Sequence, residues 1–381
     1  MAAIRILVVD DSVVIRQMVS QILAGDPEFT VAGVAGDGKI ALARIDQLSP
    51  DLVTLDVEMP VMNGLEALAE IRKRHPKLPV IMFSTLTERG AGATIEALSL
   101  GASDYVTKPS NTMSQDEARH RIRAELNPKI KALCRARGQS AQPARSATPR
   151  STGTQLLEMP KATRGTGTRS GKRKIEIVAI GTSTGGPNAL GVVVPEFPKD
   201  FPVPVVIVQH MPPIFTRMLA ERLASRSLIA VREGLQDATL EPGVAWIAPG
   251  DYHMTVKRGQ AGALCLHLNR DPQVNSCRPA VDVLFRSVAE TCAANVLAVV
   301  MTGMGSDGVR GAERIQKGGG EVIVQDERTS VVWGMPGFTF NEGYADAVYP
   351  LDQLQVEITR RVLASRGEGG GIDRRPAARM I

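Results

Sequence analysis

Two sets of residues in this chain have the types and spacing to do chemistry. The first is Asp10 and Asp11 in VVDDS, Asp56 in LDVEMPVMNG, Ser84 in FST and Lys108 in VTKP. Carboxylates packed closely repel one another unless a cation or proton intervenes, and all-oxygen ligation with open positions suits magnesium. Such a metal and the Lys108 ammonium would neutralise a phosphoryl group, leaving one carboxylate to accept it. The Ser84 hydroxyl and an exposed Tyr105 ring would then respond to the new charge. The second set opens on Gly181-Thr-Ser183-Thr-Gly185, a G-x-S-x-G stretch between an apolar run and a helix, the setting of a nucleophile elbow. It lacks the GK[ST] ending of a nucleoside-triphosphate loop. A serine at the start of a helix is exposed, and backbone amides around it can serve an oxyanion.

A serine nucleophile needs a base, and the chain has five histidines. His75 falls in a polar loop, His120 on a helix, His253 in the turn PGDYHM and His267 inside a hairpin strand, CLHL. Only His210 ends a buried strand, VPVVIVQH, and a third strand, NVLAVVMTG, opens into MGSDG and so places Asp307 at another strand end. That arrangement suits acyl transfer, with His210 taking the proton of Ser183 and Asp307 fixing the imidazole tautomer. The order Ser, His, Asp differs from the Ser, Asp, His order of α/β-hydrolases. Each residue has a plainer explanation. Asp11, Ser12 and Asp307 could be helix caps, Asp56 a turn aspartate, Lys108 a surface lysine, His210 a satisfied strand-end histidine, and the glycines simply room for packing. Cys277 paired with His210 is a rival nucleophile, disfavoured because no strand end positions its thiol.

The elements that must hold these residues are strands alternating with helices. Up to residue 126 the strands read IRILVVDD, TVAGVAG, DLVTLDV, LPVIMFS and SDYVTKP, with amphipathic helical stretches between them, one near Ala93 to Leu100. Short apolar runs ending in turn residues suit buried parallel strands, and strict alternation implies a sheet covered by helices on both faces. The fold expected is α/β, with two doubly wound parallel-sheet domains. The first is five-stranded and flavodoxin-like; the second is larger and Rossmann-like, with an antiparallel hairpin near TVKRGQAGALCLHL. Ligands in such sheets collect at the carboxyl ends of strands, which is where both residue sets fall. The domain limits read 1–126 for the first, 127–174 for a basic Ser/Pro/Gly-rich linker, 175–364 for the second and 365–381 for a disordered tail. A last helix with Ile122, Leu126, Ile130 and Leu133 at helical spacing leads into the linker.

A length of 381 residues with 43% hydrophobic content supports two globular units. No signal peptide and no stretch of about 18 apolar residues is visible, so a cytoplasmic location without direct membrane insertion is expected. Cys134, Cys265, Cys277 and Cys292 have no CxxC spacing, which argues against zinc ribbons and disulfide frameworks. Between Lys129 and Lys174 twelve Lys or Arg stand against the single Glu158, so with a whole-chain net charge of +5 the remainder is net acidic at −6. The linker carries no interleaved aromatics for base stacking, no helix-turn-helix pattern follows the first domain, and no nucleic-acid partner is expected. An anion-binding nest at GTSTGGP remains a non-catalytic alternative.

With VVDDS, LDVEMPVMNG, FST and VTKP spaced one strand-helix unit apart, residues 1 to about 125 resemble a response-regulator receiver domain. The resemblance implies that Asp56 accepts a phosphoryl group from a histidine kinase, that Asp10, Asp11 and the backbone carbonyl of Glu58 help hold Mg2+, and that Ser84 and Lys108 contact the phosphoryl oxygens. The stretches IGTSTGGP, IVQHMPPIFT, IAPGDYHM, RPAVDVLF, TGMGSDG and VQDERTSVVWGMP resemble, in that order, the catalytic domain of the chemotaxis protein-glutamate methylesterases. That resemblance implies a triad of Ser183, His210 and Asp307, with the backbone amides of Thr184 and Met304 as oxyanion donors and no cofactor for the ester hydrolysis. It implies a phosphorylation-activated hydrolase that removes methyl groups from glutamate γ-methyl esters on chemoreceptors and deamidates receptor glutamines. The expected partners are a chemosensory histidine kinase and methyl-accepting chemoreceptors, with the protein itself a monomer. Cys277 stands before Arg278-Pro279 where the family more often has histidine, which bears on the substrate pocket.

Overall fold

The computed structural model describes residues 3–109, 114–140 and 174–367. The first domain follows the chain as β1 (Ile4–Val9), α1 (Val13–Ala24), β2 (Phe29–Ala35), α2 (Gly38–Leu48), β3 (Leu52–Asp56), α3 (Gly64–Arg74), β4 (Val80–Ser84), α4 (Glu88–Ser99), β5 (Asp104–Thr107) and α5 (Gln115–Ser140). Its strands are all parallel in the order β2-β1-β3-β4-β5. Side chains alternate across the sheet, so Leu7 and Val9 join one apolar layer while Ile6 and Val8 join the layer under α1 and α5. Local chemistry starts the helices. Ser12 caps α1, Asn63 and Glu66 form a reciprocal capping box on α3, and Thr87 caps α4. The Thr87 cap makes α4 begin at Glu88, five residues ahead of the Ala93 expected from its apolar spacing.

The boundary at 126 does not hold. Helix α5 runs on to Ser140, and Leu126, Ile130 and Leu133 are buried in the same layer as Ile122, so the first part of the expected linker completes the receiver core. The helical stripe of Ile122, Leu126, Ile130 and Leu133 seen in the sequence is one buried face, so the limit belongs after the helix and not inside it. The rest of the expected linker, 141–173, and the expected tail beyond 367 lie outside the described residues, while Ser365, expected to begin that tail, still belongs to the last helix.

The second domain runs β6 (Ile177–Thr182), α6 (Gly186–Val193), β7 (Val205–Gln209), α7 (Phe215–Ala224), β8 (Ala230–Glu233), β9 (Val244–Ile247), β10 (His253–Arg258), β11 (Leu264–Asn269), α8 (Val281–Cys292), β12 (Val296–Val300), α9 (Val309–Lys317), β13 (Glu321–Gln325), α10 (Met335–Asn341), β14 (Ala347–Tyr349) and α11 (Leu351–Ser365). Seven strands pair in parallel in the order β14-β13-β12-β6-β7-β9-β8, and β10 with β11 forms the expected antiparallel hairpin. The fully buried β6, β7 and β12 lie side by side at the centre, which aligns three strand ends.

The domains touch along one face. Helix α4 packs on α6 and α7, and an apolar layer continues from the receiver sheet into the β6 sheet. Tyr105 lies against Phe215 with ring centroids 4.8 Å apart and planes at 9°. Asn188 Nδ2 donates to the Ala102 carbonyl, and Arg217 pairs with Glu88 across the same seam. Tyr105 is therefore buried at 5% exposure rather than presented to solvent, because the second domain supplies the surface that covers it. Among the described residues no helix is long and apolar enough to cross a membrane.

Candidate active sites

In the receiver, Lys108 Nζ sits 2.8 Å from Asp10 Oδ2 and 2.7 Å from Asp56 Oδ2. Asp10, Asp11 and Asp56 gather with ligand oxygens within 4.8 Å of one another. A cavity of about 200 Å³ adjoins them, lined by Asp11, Asp56, Glu58, Ser84 and Lys108 among others. Burial, reinforced by the charge of Asp10 and only partly offset by Lys108, raises the Asp56 carboxyl to about 6. Burial opposes the Lys108 ammonium, but Asp56 and Asp10 together hold its pKa up. Carboxylate oxygens in excess of cationic partners are the donor set a hard divalent ion takes, so these residues fit Mg2+.

Other members of that set have local roles. Ser12 is the α1 cap and its N–H donates to Asp10 Oδ1 at 2.9 Å. The Glu58 N–H points at Asp56 Oδ1, 3.4 Å away, while its carboxylate pairs with Arg89. The Ser84 hydroxyl donates to the Gly90 carbonyl at 3.0 Å, in the first turn of α4. Tyr105, set apart in the domain seam, has its phenol pushed far up by burial.

In the second domain β6 ends one residue before Ser183, and the chain turns into α6 through Gly185 at φ +77°. A Cβ at Gly185 would lie 2.6 Å from Val331, and one at Gly303 would lie 2.9 Å from the Ser183 Cβ, so both positions need glycine. The Ser183 hydroxyl and the N–H groups of Thr184 and Met304 have no hydrogen-bond partner among the described residues. They are free for a ligand.

His210 follows β7, and its Nε2 lies 2.7 Å from Asp307 Oδ2. Asp307 follows β12 but does not cap the helix after it. Instead Oδ2 accepts from the Val281 N–H at 2.6 Å and Oδ1 from the Asp282 N–H at 3.0 Å, at the start of α8. Burial alone would raise Asp307, yet its bonds with His210 and these amides hold it below the usual carboxylate range. Burial likewise opposes the His210 imidazolium, but contact with Asp307, and then with Cys277, raises the ring above its ordinary value. His253 is not in a turn: it opens β10, fully buried, with Nε2 3.1 Å from the Pro272 carbonyl.

Two positioning groups, Asn275 and Gln209, were not foreseen, and Cys277 proves to reach His210 although no strand end carries it. Asn275 Nδ2 donates to Asp307 Oδ1 at 2.8 Å and to Asp282 Oδ2 at 2.9 Å, holding two carboxylates apart. Gln209 Nε2 donates to the carbonyls of Ser183 at 3.0 Å and His210 at 3.3 Å, tying one strand end to the next. Cys277 Sγ lies 3.6 Å from His210 Nδ1, so a loop, not a strand end, delivers the thiol to the base. Gln209 was open to detection as a buried amide beside His210; the loop residues carry no comparable sequence signal.

A carboxylate-lined receiver packed on a parallel-sheet domain with Ser, His and Asp at three adjacent strand ends defines a response regulator with a hydrolytic output domain. Residues 6–121 match the family model of the response regulator receiver domain, and residues 178–358 match that of CheB methylesterase. A protein-glutamate methylesterase/protein-glutamine glutaminase of Trichodesmium erythraeum is 49% identical over 366 residues, covering 95% of this chain and 100% of that one. Proteins of the same name from Nocardioides sp. and Caulobacter vibrioides, the latter numbered 2, are 49% and 44% identical. They cover 96% and 94% of this chain and 97% and 98% of their own. The chain belongs to the protein-glutamate methylesterase/protein-glutamine glutaminase family.

Proposed function

We propose that this protein hydrolyses glutamate γ-methyl esters on the cytoplasmic part of chemoreceptors, deamidates receptor glutamines by the same route, and is switched on by phosphorylation of Asp56. The observation that carries the hydrolytic reading is the Asp307–His210 pair beside a serine whose hydroxyl is unengaged and whose neighbouring amides, at Thr184 and Met304, are free. With Asp307 on Nε2, His210 takes the Ser183 proton through Nδ1 as Ser183 Oγ attacks the ester carbonyl. The oxyanion is received by the amides of Thr184 and Met304. His210 returns the proton to the departing methanol, or to ammonia from a glutamine, and water then cleaves the acyl-enzyme with His210 again as base.

Asp10, Asp11 and Asp56, with the Glu58 carbonyl, would hold Mg2+, which when bound offsets the charge of an incoming phosphoryl group. A histidine kinase is the proposed donor. Lys108 pairs the acceptor carboxylate, and Ser84 is placed to leave the Gly90 carbonyl for a phosphoryl oxygen. That exchange would loosen the first turn of α4, the helix packed on α6 and α7. Met304 extends the link, because its side chain meets α5 at a cavity of about 650 Å³ lined also by His120, Arg123 and Asn127. Docking of the receiver on the rim of the Ser183 crevice is thus the resting state that phosphorylation releases.

The test is methanol release from methylated receptor membranes with acetyl phosphate and Mg2+. Wild type is expected to respond to the phosphodonor, Asp56→Asn to lose the response and Ser183→Ala to lose about 10⁶-fold in turnover. Turnover surviving in Ser183→Ala but lost in Cys277→Ser would favour the second reading, a Cys277–His210 dyad, which their 3.6 Å contact supports.

A further inference from the structure

Loop 274–279 enters the hydrolytic crevice and leaves Cys277 Sγ facing His210 Nδ1 across 3.6 Å. Asp307 holds the opposite ring nitrogen at 2.7 Å, so the neutral imidazole keeps its lone pair on Nδ1, toward the sulfur. A thiolate and an imidazole on one tetrahedral zinc ion, bound at about 2.3 and 2.0 Å, stand about 3.5 Å from each other. The two side chains are thus at ligand separation without rearrangement. The Asp307 contact supplies the second hydrogen bond that zinc-ligating histidines commonly make to a carboxylate. Ligand atoms of His210, Cys277 and Asp307 all lie within 4.8 Å of one another. Asp307 acts as the orienting partner instead of a third ligand, because both its oxygens already accept N–H donors from Asn275, Val281 and Asp282. Cys277 is half-buried and the His210 side chain keeps 13% exposure, so neither is sealed from solvent.

We propose that Cys277 and His210 form a capture site for zinc, and that zinc bound there reversibly inhibits the hydrolase by occupying the nitrogen that must receive the Ser183 proton. Binding forms Zn–S and Zn–N bonds and expels to solvent the thiol proton and any proton on Nδ1. The soft thiolate separates this site from the all-oxygen receiver cluster, which favours magnesium. Metal binding stands on the loop geometry alone; the inhibition rests on the proposed role of Ser183.

Cobalt(II), a visible substitute for zinc, tests the two parts separately in the full chain. Wild type and Ser183→Ala are expected to show a sulfur-to-cobalt charge-transfer band that zinc bleaches. Cys277→Ser is expected to lack it, although Cys134, Cys265 and Cys292 remain. At free zinc about ten times the dissociation constant found by cobalt competition, wild-type methanol release should fall about tenfold and recover with a chelator. The ratio of rates with and without zinc, read within Cys277→Ser itself, should stay near one. A band persisting in Cys277→Ser, or no band in folded wild type, overturns the site. A band with unchanged turnover in wild type overturns the inhibition. Because the band is also read in Ser183→Ala, its outcome does not depend on the hydrolytic reading.

Discussion

In the receiver crevice two buried carboxylates, Asp10 and Asp56, share the ammonium of Lys108, whereas in the hydrolytic crevice Asp307 alone receives four donors. Both crevices lie at the carboxyl ends of parallel strands. Their charges are nevertheless balanced in opposite senses: Asp56 is raised to about 6, while Asp307 is held below its ordinary value. A carboxylate left short of partners gains most from a cation or a covalent change, and so suits a switch. One saturated with donors keeps its charge and orientation through a reaction cycle, and so suits a fixed part of a catalyst.

The comparison breaks most directly at Asp307. Asp307→Asn should lower methanol release about 10³- to 10⁴-fold, since the amide cannot hold the ring in the same tautomer, while the phosphodonor response of the residual rate persists. A smaller loss would mean that the saturated carboxylate is structural.

Asp56 should behave in the reverse way. Its folded pKa of about 6 exceeds the 3.8 of an ordinary aspartate, so the folded receiver binds the proton more tightly than the unfolded chain. Stability should therefore fall as pH rises between about 4 and 6 and stay low above that. Asp56→Asn should remove this slope and stabilise the receiver at neutral pH by on the order of 2 to 3 kcal/mol. Urea unfolding at a series of pH values checks both points, and a pH-independent difference would contradict them.

The smallest effect concerns the seam between the crevices. A stacked aromatic pair contributes about 1 kcal/mol beyond its burial, so Tyr105→Ala should raise the rate measured without phosphodonor by about fivefold. The fully phosphorylated rate should change little. Equal basal rates would show that the ring stack does not bias the resting state.

Much of this was legible because several strands end in, or next to, the residue proposed to do the chemistry. VVDDS, FST, VTKP and IVQH carry both the apolar run that forms a central strand and the polar group displayed at its tip. What escaped depends on pieces distant in sequence. Tyr105 reads as exposed within the receiver alone, because the ring that covers it, Phe215, belongs to another domain. The expected domain limit at 126 cuts the helix on which the sequence already places Ile130 and Leu133, and both are buried in the receiver core. Cys277 is weighed in the sequence as a partner of His210 and set aside for want of a strand end, because its approach to the ring depends on the path of an irregular loop.

The strand order has a consequence for biosynthesis. Strand β6 forms the middle of its sheet, yet its partner β12 is encoded about 120 residues later. At the ribosome's pace of about 5 to 20 residues per second, β6 waits between about 6 and 24 seconds for that partner. The receiver, whose strands are already synthesised, can fold within the interval. The nascent esterase half thus emerges beside a finished surface containing α4 and Tyr105, on which α6 and α7 can settle before their own sheet is closed.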